Sequence, residues 1–251
     1  MAMSRPAILF IHGFPFDHTM WRHQVAALSD WECLAPDLQG AGSAPAPASR
    51  DAYSMAVYAR DLTTVLDRRG IDTTVVCGLS MGGYVTFELL RQIPQRVRAA
   101  VLCNTKSAAD APEGKRGRDA LAEKARSKGA SAVADELVPK ALSRTTLERN
   151  QGVVRDVRAM IERQQIDGIV GALHALRERP DSTPLLDTIR APVLVVAGSA
   201  DQITPAEGMR EMARAIPGAQ FSLIQDAGHL SPLEQPAAFN ATVNGFLAKL
   251  F

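Results

Sequence analysis

The sequence predicts an α/β fold, a doubly wound and mainly parallel sheet of about six strands that carries a helical insertion. Three observations predict it. Short apolar, β-branched runs recur along the chain and alternate with segments of helical periodicity. Those runs are nearly continuous in apolar residues, as strands covered on both faces are, rather than alternating in the way of half-exposed strands. The run Thr74-Val-Val-Cys-Gly78 passes at once through Gly78-Leu-Ser-Met-Gly82 into a helix-like segment, a corner suited to a parallel strand feeding its crossover helix. A chain of 251 residues that is 46% hydrophobic is long enough to bury one large core.

In chain order, Ala7-Ile-Leu-Phe-Ile-His12 reads as a buried first strand ended by Gly13-Phe-Pro15. Met20 to Ser29 carries Trp21, Val25 and Leu28 at helical spacing, and Glu32-Cys-Leu-Ala35 gives a second brief strand that stops at Pro36-Asp37. Leu38 to Ser49 is a turn region rich in Gly, Ala, Pro and Ser. Met55 to Arg69 then predicts a helix with Val57, Leu62, Val65 and Leu66 inward. Thr74 to Gly78 is the third strand, Met81 to about Gln92 a helix ended by Pro94, and Val97 to Cys103 the fourth strand.

The pattern changes from about Lys106 to Arg190, where helical periodicity continues without a convincing strand. Helices are expected over Ala120 to Lys128, Ser131 to Leu142, Val153 to Gln165 and Ile169 to Arg179, with Gly114, Gly129, Gly152 and Gly168 as punctuation. Val193 to Ala197 restarts the strand pattern, Gln220 to Gln225 supplies a sixth strand, and Pro236 to Leu250 a final amphipathic helix. The predicted organisation is a core of residues 1–105 and 185–251 interrupted by a helical cap, residues 106–184.

Lys and Arg number 28 against 27 Asp and Glu, so the net charge of +1 points to neither nucleic acid nor an anionic membrane. The insertion from 106 to 184 holds 15 basic and 12 acidic residues, which reads by default as a solvated helical surface. Cys33, Cys77 and Cys103 lie in or beside apolar runs and read as free packing thiols of a reducing compartment. Met1-Ala-Met-Ser-Arg-Pro6 runs directly into the first strand without a signal-peptide arrangement, and no stretch has the length of a membrane span, so a protein that is cytoplasmic, or exported without a recognisable signal, is expected. Oligomeric state is not legible.

Chemistry-bearing residues fall at the ends of strands, where open α/β sheets bind ligands. Ser80 is the corner residue between the third strand and its helix, flanked by Gly78 and Gly82, with its hydroxyl pushed above the sheet at the positive end of the helix. Gly198-Ser-Ala-Asp201 follows the fifth strand and Ala227-Gly-His229 the sixth. The order Ser80, Asp201, His229 is that of a hydrolytic triad on such a sheet. A serine hydroxyl is a poor nucleophile at neutral pH, an imidazole can take its proton and return it, and a carboxylate holds the imidazole in the right tautomer. Asp226 and Asp37 are rivals for Asp201, whose position at a strand end favours it. Asp37 reads as a turn-stabilising acceptor.

With its motifs His12-Gly-Phe-Pro15, Asp37-Leu-Gln-Gly-Ala-Gly-Ser43, Gly78-Leu-Ser-Met-Gly-Gly-Tyr84, Gly198-Ser-Ala-Asp201 and Gly228-His-Leu-Ser-Pro-Leu-Glu-Gln-Pro236, the chain resembles the α/β-hydrolase superfamily over nearly its whole length, in particular its esterases and 3-oxoadipate enol-lactonases. The resemblance implies Ser80 as nucleophile, His229 as general base and acid, Asp201 as its orienter, and the backbone N–H groups of Phe14 and Met81 as an oxyanion hole. It implies a helical cap over the pocket and no cofactor or metal. His12 is expected to brace the oxyanion loop or touch the pocket, Phe16 and Trp21 are candidates for the pocket wall, with helix packing an equal explanation for Trp21, and His18, His23 and His174 carry no partner signature. Many relatives have an antiparallel strand pair ahead of the first strand; only six residues precede Ala7 here, so the sheet is expected to lack that pair. Gln39 and Ala41 stand where the superfamily often has a charged pair.

The expected substrate is a small carboxylic ester or lactone, with water as the second reactant, and an enol-lactone of aromatic catabolism is the specific expectation. A carbon–carbon bond hydrolase, a perhydrolase, a hydroxynitrile lyase and a catalytically idle ligand receptor are alternatives on the same fold. An aspartate-nucleophile dehalogenase or epoxide hydrolase is disfavoured because the corner carries Ser80.

Overall fold

Strands β1 (Ala7–Ile11), β2 (Glu32–Leu34), β3 (Thr74–Leu79), β4 (Val97–Cys103), β5 (Val193–Gly198) and β6 (Gln220–Ile224) form one parallel sheet in the order β2-β1-β3-β4-β5-β6. The structure, a computed structural model, describes residues 6–251, so the expectation of a leader-free start, residues 1–5, lies outside the described residues. The helices are α1 (Arg22–Ala27), α2 (Met55–Arg68), α3 (Met81–Gln92), α4 (Pro112–Ala141), α5 (Arg144–Arg149), α6 (Gln151–Glu162), α7 (Ile166–Glu178), α8 (Ala206–Ala215), α9 (Ser231–Glu234) and α10 (Pro236–Leu247).

Every residue of β1, β3 and β5 is buried, which is why these strands read as unbroken apolar runs. The edge strands β2 and β6 are half-exposed. The sheet is wound in two directions from its middle. From β1 the chain steps outward to β2, then crosses back over β1 to β3 and continues to β6. The strand order therefore reverses between β1 and β3, and the loops leaving their carboxyl ends diverge there to open a crevice. Those loops begin at His12-Gly13-Phe14 and at Ser80.

Three packing details bring the loops together. A methyl group added at Gly82 would stand 2.2 Å from the Ile11 carbonyl oxygen, and one at Gly78 would stand 2.3 Å from the Gly82 carbonyl oxygen. Only glycine lets β1, β3 and the first turn of α3 approach so closely. A methyl at Gly13 would meet Leu79 at 2.9 Å and Ser80 Cβ at 3.4 Å, so the loop after β1 lies directly against the serine corner.

The insertion between β4 and β5 is wholly helical, from α4 through α7. It breaks at Gly129, whose φ of 79° interrupts α4 and divides it in two. Gly114, Gly152 and Gly168 are not breaks as predicted but lie inside α4, α6 and α7. The propensity penalty of about 1 kcal/mol for a helical glycine is small beside packing. At Gly168 the packing reason is visible, because an added methyl would fall 1.8 Å from the Gly40 carbonyl oxygen.

Other expectations need correction. The helix expected from Met20 is a 3-10 turn, His18–Trp21, followed by the short α1. Within α1, Val25 faces solvent at 38% exposure and Gln24 turns inward, donating to the Pro232 carbonyl at 3.1 Å and to Asn240 at 2.9 Å. In α2 the fully buried stripe is Met55, Tyr58, Leu62 and Leu66, with Val57 and Val65 half-buried. The helices α8 and α9 were not anticipated. Among the described residues no helix is long and apolar enough to cross a membrane.

Candidate active site

Ser80 sits at the corner between β3 and α3 with φ 54° and ψ −111°, a conformation costly for any residue but glycine. The surroundings hold it there. Its N–H donates to the Cys103 carbonyl at 2.9 Å, and the Thr105 hydroxyl donates to its carbonyl at 2.8 Å, so the end of β4 clamps the corner from both sides. Met81 is the first residue of α3, where a helical N–H has no intrahelical acceptor and points outward.

His229 lies in the loop after β6 and is buried, at 3% exposure. Its backbone N–H donates to the Ala141 carbonyl at 2.9 Å, and its Nδ1 is 2.8 Å from Asp201 Oδ2. With Nδ1–H donating to the carboxylate, the basic lone pair of the neutral ring is on Nε2, on the other edge of the imidazole. Ser80 and His229 line the same cavity, together with Phe14, Phe16, Tyr84 and residues of α4 and α7. Asp226, the nearer rival in sequence, is exposed with φ 55°, and Asp37 is engaged elsewhere.

Asp201 is the most heavily bonded acid of the site. Oδ1 accepts the N–H groups of Ile203 (2.8 Å) and Thr204 (3.0 Å), while Oδ2 accepts the Thr204 hydroxyl (2.6 Å), Asn104 Nδ2 (2.8 Å) and the His229 ring. Burial alone would raise its carboxyl pKa. The positive charge and hydrogen bond of His229, with the Thr204 donors, outweigh that and bring it down to about 2.

Met81 lines a second, smaller hollow, shared with Phe14, His12, Phe16, Leu38, Gln39, Tyr58 and Gln164. Phe14 and Phe16 thus stand between the two spaces. His12 is buried and occupied as a brace. Its Nε2 accepts from Leu38 N–H at 3.0 Å, and its Nδ1 lies 3.0 Å from the Gly13 carbonyl. Burial holds its pKa below the ordinary imidazole value.

Trp21 requires a correction. It lines neither space but is fully buried in the core, its ring 5.0 Å from Phe10 and 6.2 Å from Phe239 between centroids. Its large apolar surface is satisfied by β1 and α10, leaving nothing to face a substrate.

This arrangement of sheet, serine corner and strand-end loops can be set beside known proteins. Residues 6–236 match the alpha/beta hydrolase fold family. The chain belongs to that family. Among its relatives is 3-oxoadipate enol-lactonase 2 of Acinetobacter baylyi, 26% identical over 247 residues that cover 98% of this chain and 90% of the relative. Among solved structures, a thermophilic esterase from Thermogutta terrifontis superposes with a TM-score of 0.95 at 36% identity, covering 98% of this chain and 91% of that one. The enol-lactonase from Burkholderia xenovorans superposes with a TM-score of 0.90 at 32% identity, covering 98% and 92%.

The structure of this α/β hydrolase also brings in residues that the sequence did not single out. Asn104, at φ 44° just beyond β4, links Asp201 to Ser231, whose hydroxyl donates to Asn104 Oδ1 at 2.7 Å. Buried Glu234 takes the N–H groups of Gly228 (2.8 Å), Leu230 (3.3 Å) and Ser143 (2.7 Å) and the Thr146 hydroxyl (2.7 Å), and so fixes the His229 loop to the helical insertion. Thr204, three residues after Asp201, is the one with a local signal, since a threonine there can turn back onto the acid.

His18 has a partner after all, with its N–H and Nδ1 both 2.8 Å from Asp37 Oδ1, while Ser43 fills Oδ2 through its N–H and hydroxyl. Asp37 is therefore the turn acceptor of its loop. Asp17, His18 and Asp37 offer ligand-type atoms within 4.8 Å of one another. Asp17, however, is committed to Arg163, Gln164 and Thr19, so protein donors already satisfy both carboxylates. His23 and His174 are half-buried and do not line the cavity that holds Ser80.

Proposed function

We propose that the protein hydrolyses a carboxylic ester or lactone through an acyl-enzyme formed on Ser80. The observation that carries the reading is the 2.8 Å contact of His229 Nδ1 with Asp201, with His229 and Ser80 lining one cavity. His229 Nε2 takes the proton of the Ser80 hydroxyl as Oγ attacks the carbonyl carbon. The carbonyl oxygen becomes an oxyanion, stabilised by the N–H groups of Phe14 and Met81 and by the positive end of α3. Collapse breaks the bond to the alcohol oxygen, which receives the proton from His229. In a lactone that alcohol stays attached to the acyl chain. Water then gives a proton to His229 and attacks the acyl carbon, and Ser80 leaves with that proton, so one water is consumed for each acid and alcohol released.

Residues 106–184 serve in this reading as the cap that shapes the substrate cavity, to which α4 and α7 both contribute. The names of the relatives make an enol-lactone the specific candidate within the ester and lactone class. Cytoplasmic residence is supported by the free thiols of Cys33, Cys77 and Cys103, the latter two buried and sharing a sulfur hydrogen bond at 3.8 Å rather than a disulfide. Recovery of the tagged chain in the periplasmic or culture fraction would contradict it.

The test is a panel of short esters and lactones run on the wild type beside Ser80→Ala and His229→Gln. The expected result is turnover by the wild type and a loss of about 10³- to 10⁶-fold in either variant. No turnover by the wild type, together with tight ligand-dependent stabilisation, would favour an idle receptor instead.

A further inference from the structure

The substrate cavity contains a cation that the protein does not fully neutralise. Asp110, buried at the start of the insertion, is shared by three bases. Its Oδ1 takes Lys106 Nζ at 3.1 Å and Arg179 Nη2 at 2.9 Å, and its Oδ2 takes Arg118 Nε at 3.0 Å. Burial alone would raise its pKa, but Arg179 and Arg118 hold it well below the usual carboxylate range, so one ionised carboxylate is shared by three cations, of which Arg179 also feels Asp181.

The three cations differ in how they are accommodated. Arg179 is locked away, its side chain 2% exposed, donating also to the Leu176 and Ala108 carbonyls and lying 4.3 Å over the Tyr84 ring. Lys106 is 43% exposed and solvated. Arg118 is only 27% exposed and lines the cavity with Ser80 and His229. Asp110 grips it by Nε alone, and among the described residues no hydrogen bond is found from its Nη1 or Nη2. The adjacent acid in sequence, Asp119, is taken by Arg177 at 3.0 Å. Elsewhere on the wall, Glu136 is shared between Lys124 and Lys140, which adds no negative surplus.

We infer that Arg118 is a specificity-determining residue, selecting ester or lactone substrates that carry a free carboxylate besides the bond to be cleaved. An arginine fixed at Nε presents its two remaining amino groups as a ready fork for a carboxylate. A partly desolvated cation set among the apolar side chains of Leu121, Leu137 and Leu176 favours such a group over a neutral one. This inference rests on the hydrolase reading for its turnover consequence, but the anion site itself does not.

The experiment compares two carboxylate-bearing esters with their primary amides. These are p-nitrophenyl hydrogen glutarate, with the acid on the acyl side, and 4-acetoxybutanoate, with the acid on the alcohol side. Each is assayed with the wild type, Arg118→Gln, Arg118→Lys and the exposed control Arg144→Gln, while calorimetry measures glutarate binding to the same four proteins. The expected result is a preference for at least one acid over its amide that falls about 10- to 100-fold in Arg118→Gln, falls less in Arg118→Lys and persists in Arg144→Gln. Glutarate binding should weaken in parallel. A wild type with no preference, or a preference that survives Arg118→Gln, would overturn the inference and leave the hydrolase reading standing. If no ester is cleaved, the hydrolase reading fails and glutarate decides alone: binding weakened tenfold or more in Arg118→Gln supports the anion site, and absent or unaltered binding overturns it. Should Arg118→Gln not fold, Arg118→Lys carries the same comparison.

Discussion

The side-chain amide of Asn104 donates to Oδ2 of Asp201 at 2.8 Å, joining the end of β4 to the loop after β5 beneath His229. Both residues are buried, and the other end of the amide accepts from Ser231. Asn104 is therefore a positioning residue in the proposed mechanism, acting through Asp201 on the orientation of His229.

Asn104→Ala should lower stability by about 1 to 3 kcal/mol, because it removes one hydrogen bond from buried Asp201 and the Asn104 acceptor of the buried Ser231 hydroxyl. It should also lower kcat more than it changes KM. Asn104→Asp should be worse at neutral pH, since it sets a second carboxylate at hydrogen-bond distance from Asp201, and should recover in part at pH 5. Urea denaturation and steady-state kinetics read both effects. An Asn104→Asp protein as stable and active as the wild type would contradict the role.

Gly82→Ala should cost more than about 2 kcal/mol and lower the yield of folded protein, because the new methyl group meets the backbone of β1 rather than a movable side chain. Gly117→Ala is the matched comparison, since an added methyl at Gly117 has no neighbour within 4 Å. Thermal melts of the two variants should differ clearly, and equal melts would contradict the packing account of the corner.

These residues also mark how far the sequence was readable. The central strands were legible because burial on both faces leaves continuous apolar runs, and Gly78 and Gly82 were legible because the corner they frame is local. Asn104 was not, since its partner Asp201 is 97 positions away and only the folded chain joins them. The helix α8 escaped because Met209, Met212 and Ala213 are its only buried residues among charged and small ones. The place of Trp21 is open in the sequence for a related reason. Periodicity marks it as inward, but whether inward means core or cavity depends on Phe10 and Phe239, which belong to other elements. Arg118 lay within a basic insertion whose surplus reads as solvated until Asp110 and the cavity are seen together.

Acid should unfold the protein in a defined window. Asp201 and Asp17 have carboxyls at about 2 in the folded chain, below the value of about 3.9 for an unfolded aspartate. At Asp17 burial opposes the charge and Arg163 and Thr19 outweigh it. A depressed folded pKa means that the ionised form contributes stability that is fully present above about pH 4 and is lost as pH falls toward 2. For the fully buried Asp201 the contribution is on the order of 2 kcal/mol. Urea midpoints of the wild type should fall steeply between pH 4 and 2.5, and Asp201→Asn and Asp17→Asn should each show a shallower fall. A wild-type midpoint that stays flat across that range would contradict the assignment.

The central claim is that Ser80 is the residue that attacks the substrate. It is tested most directly by treating the protein with a fluorophosphonate, digesting it and locating the adduct by mass spectrometry. A single adduct is expected on the peptide containing Ser80, with much slower labelling in His229→Gln and none in a Ser80→Ala protein that is otherwise folded. An adduct on another residue, or labelling retained in Ser80→Ala, would contradict it.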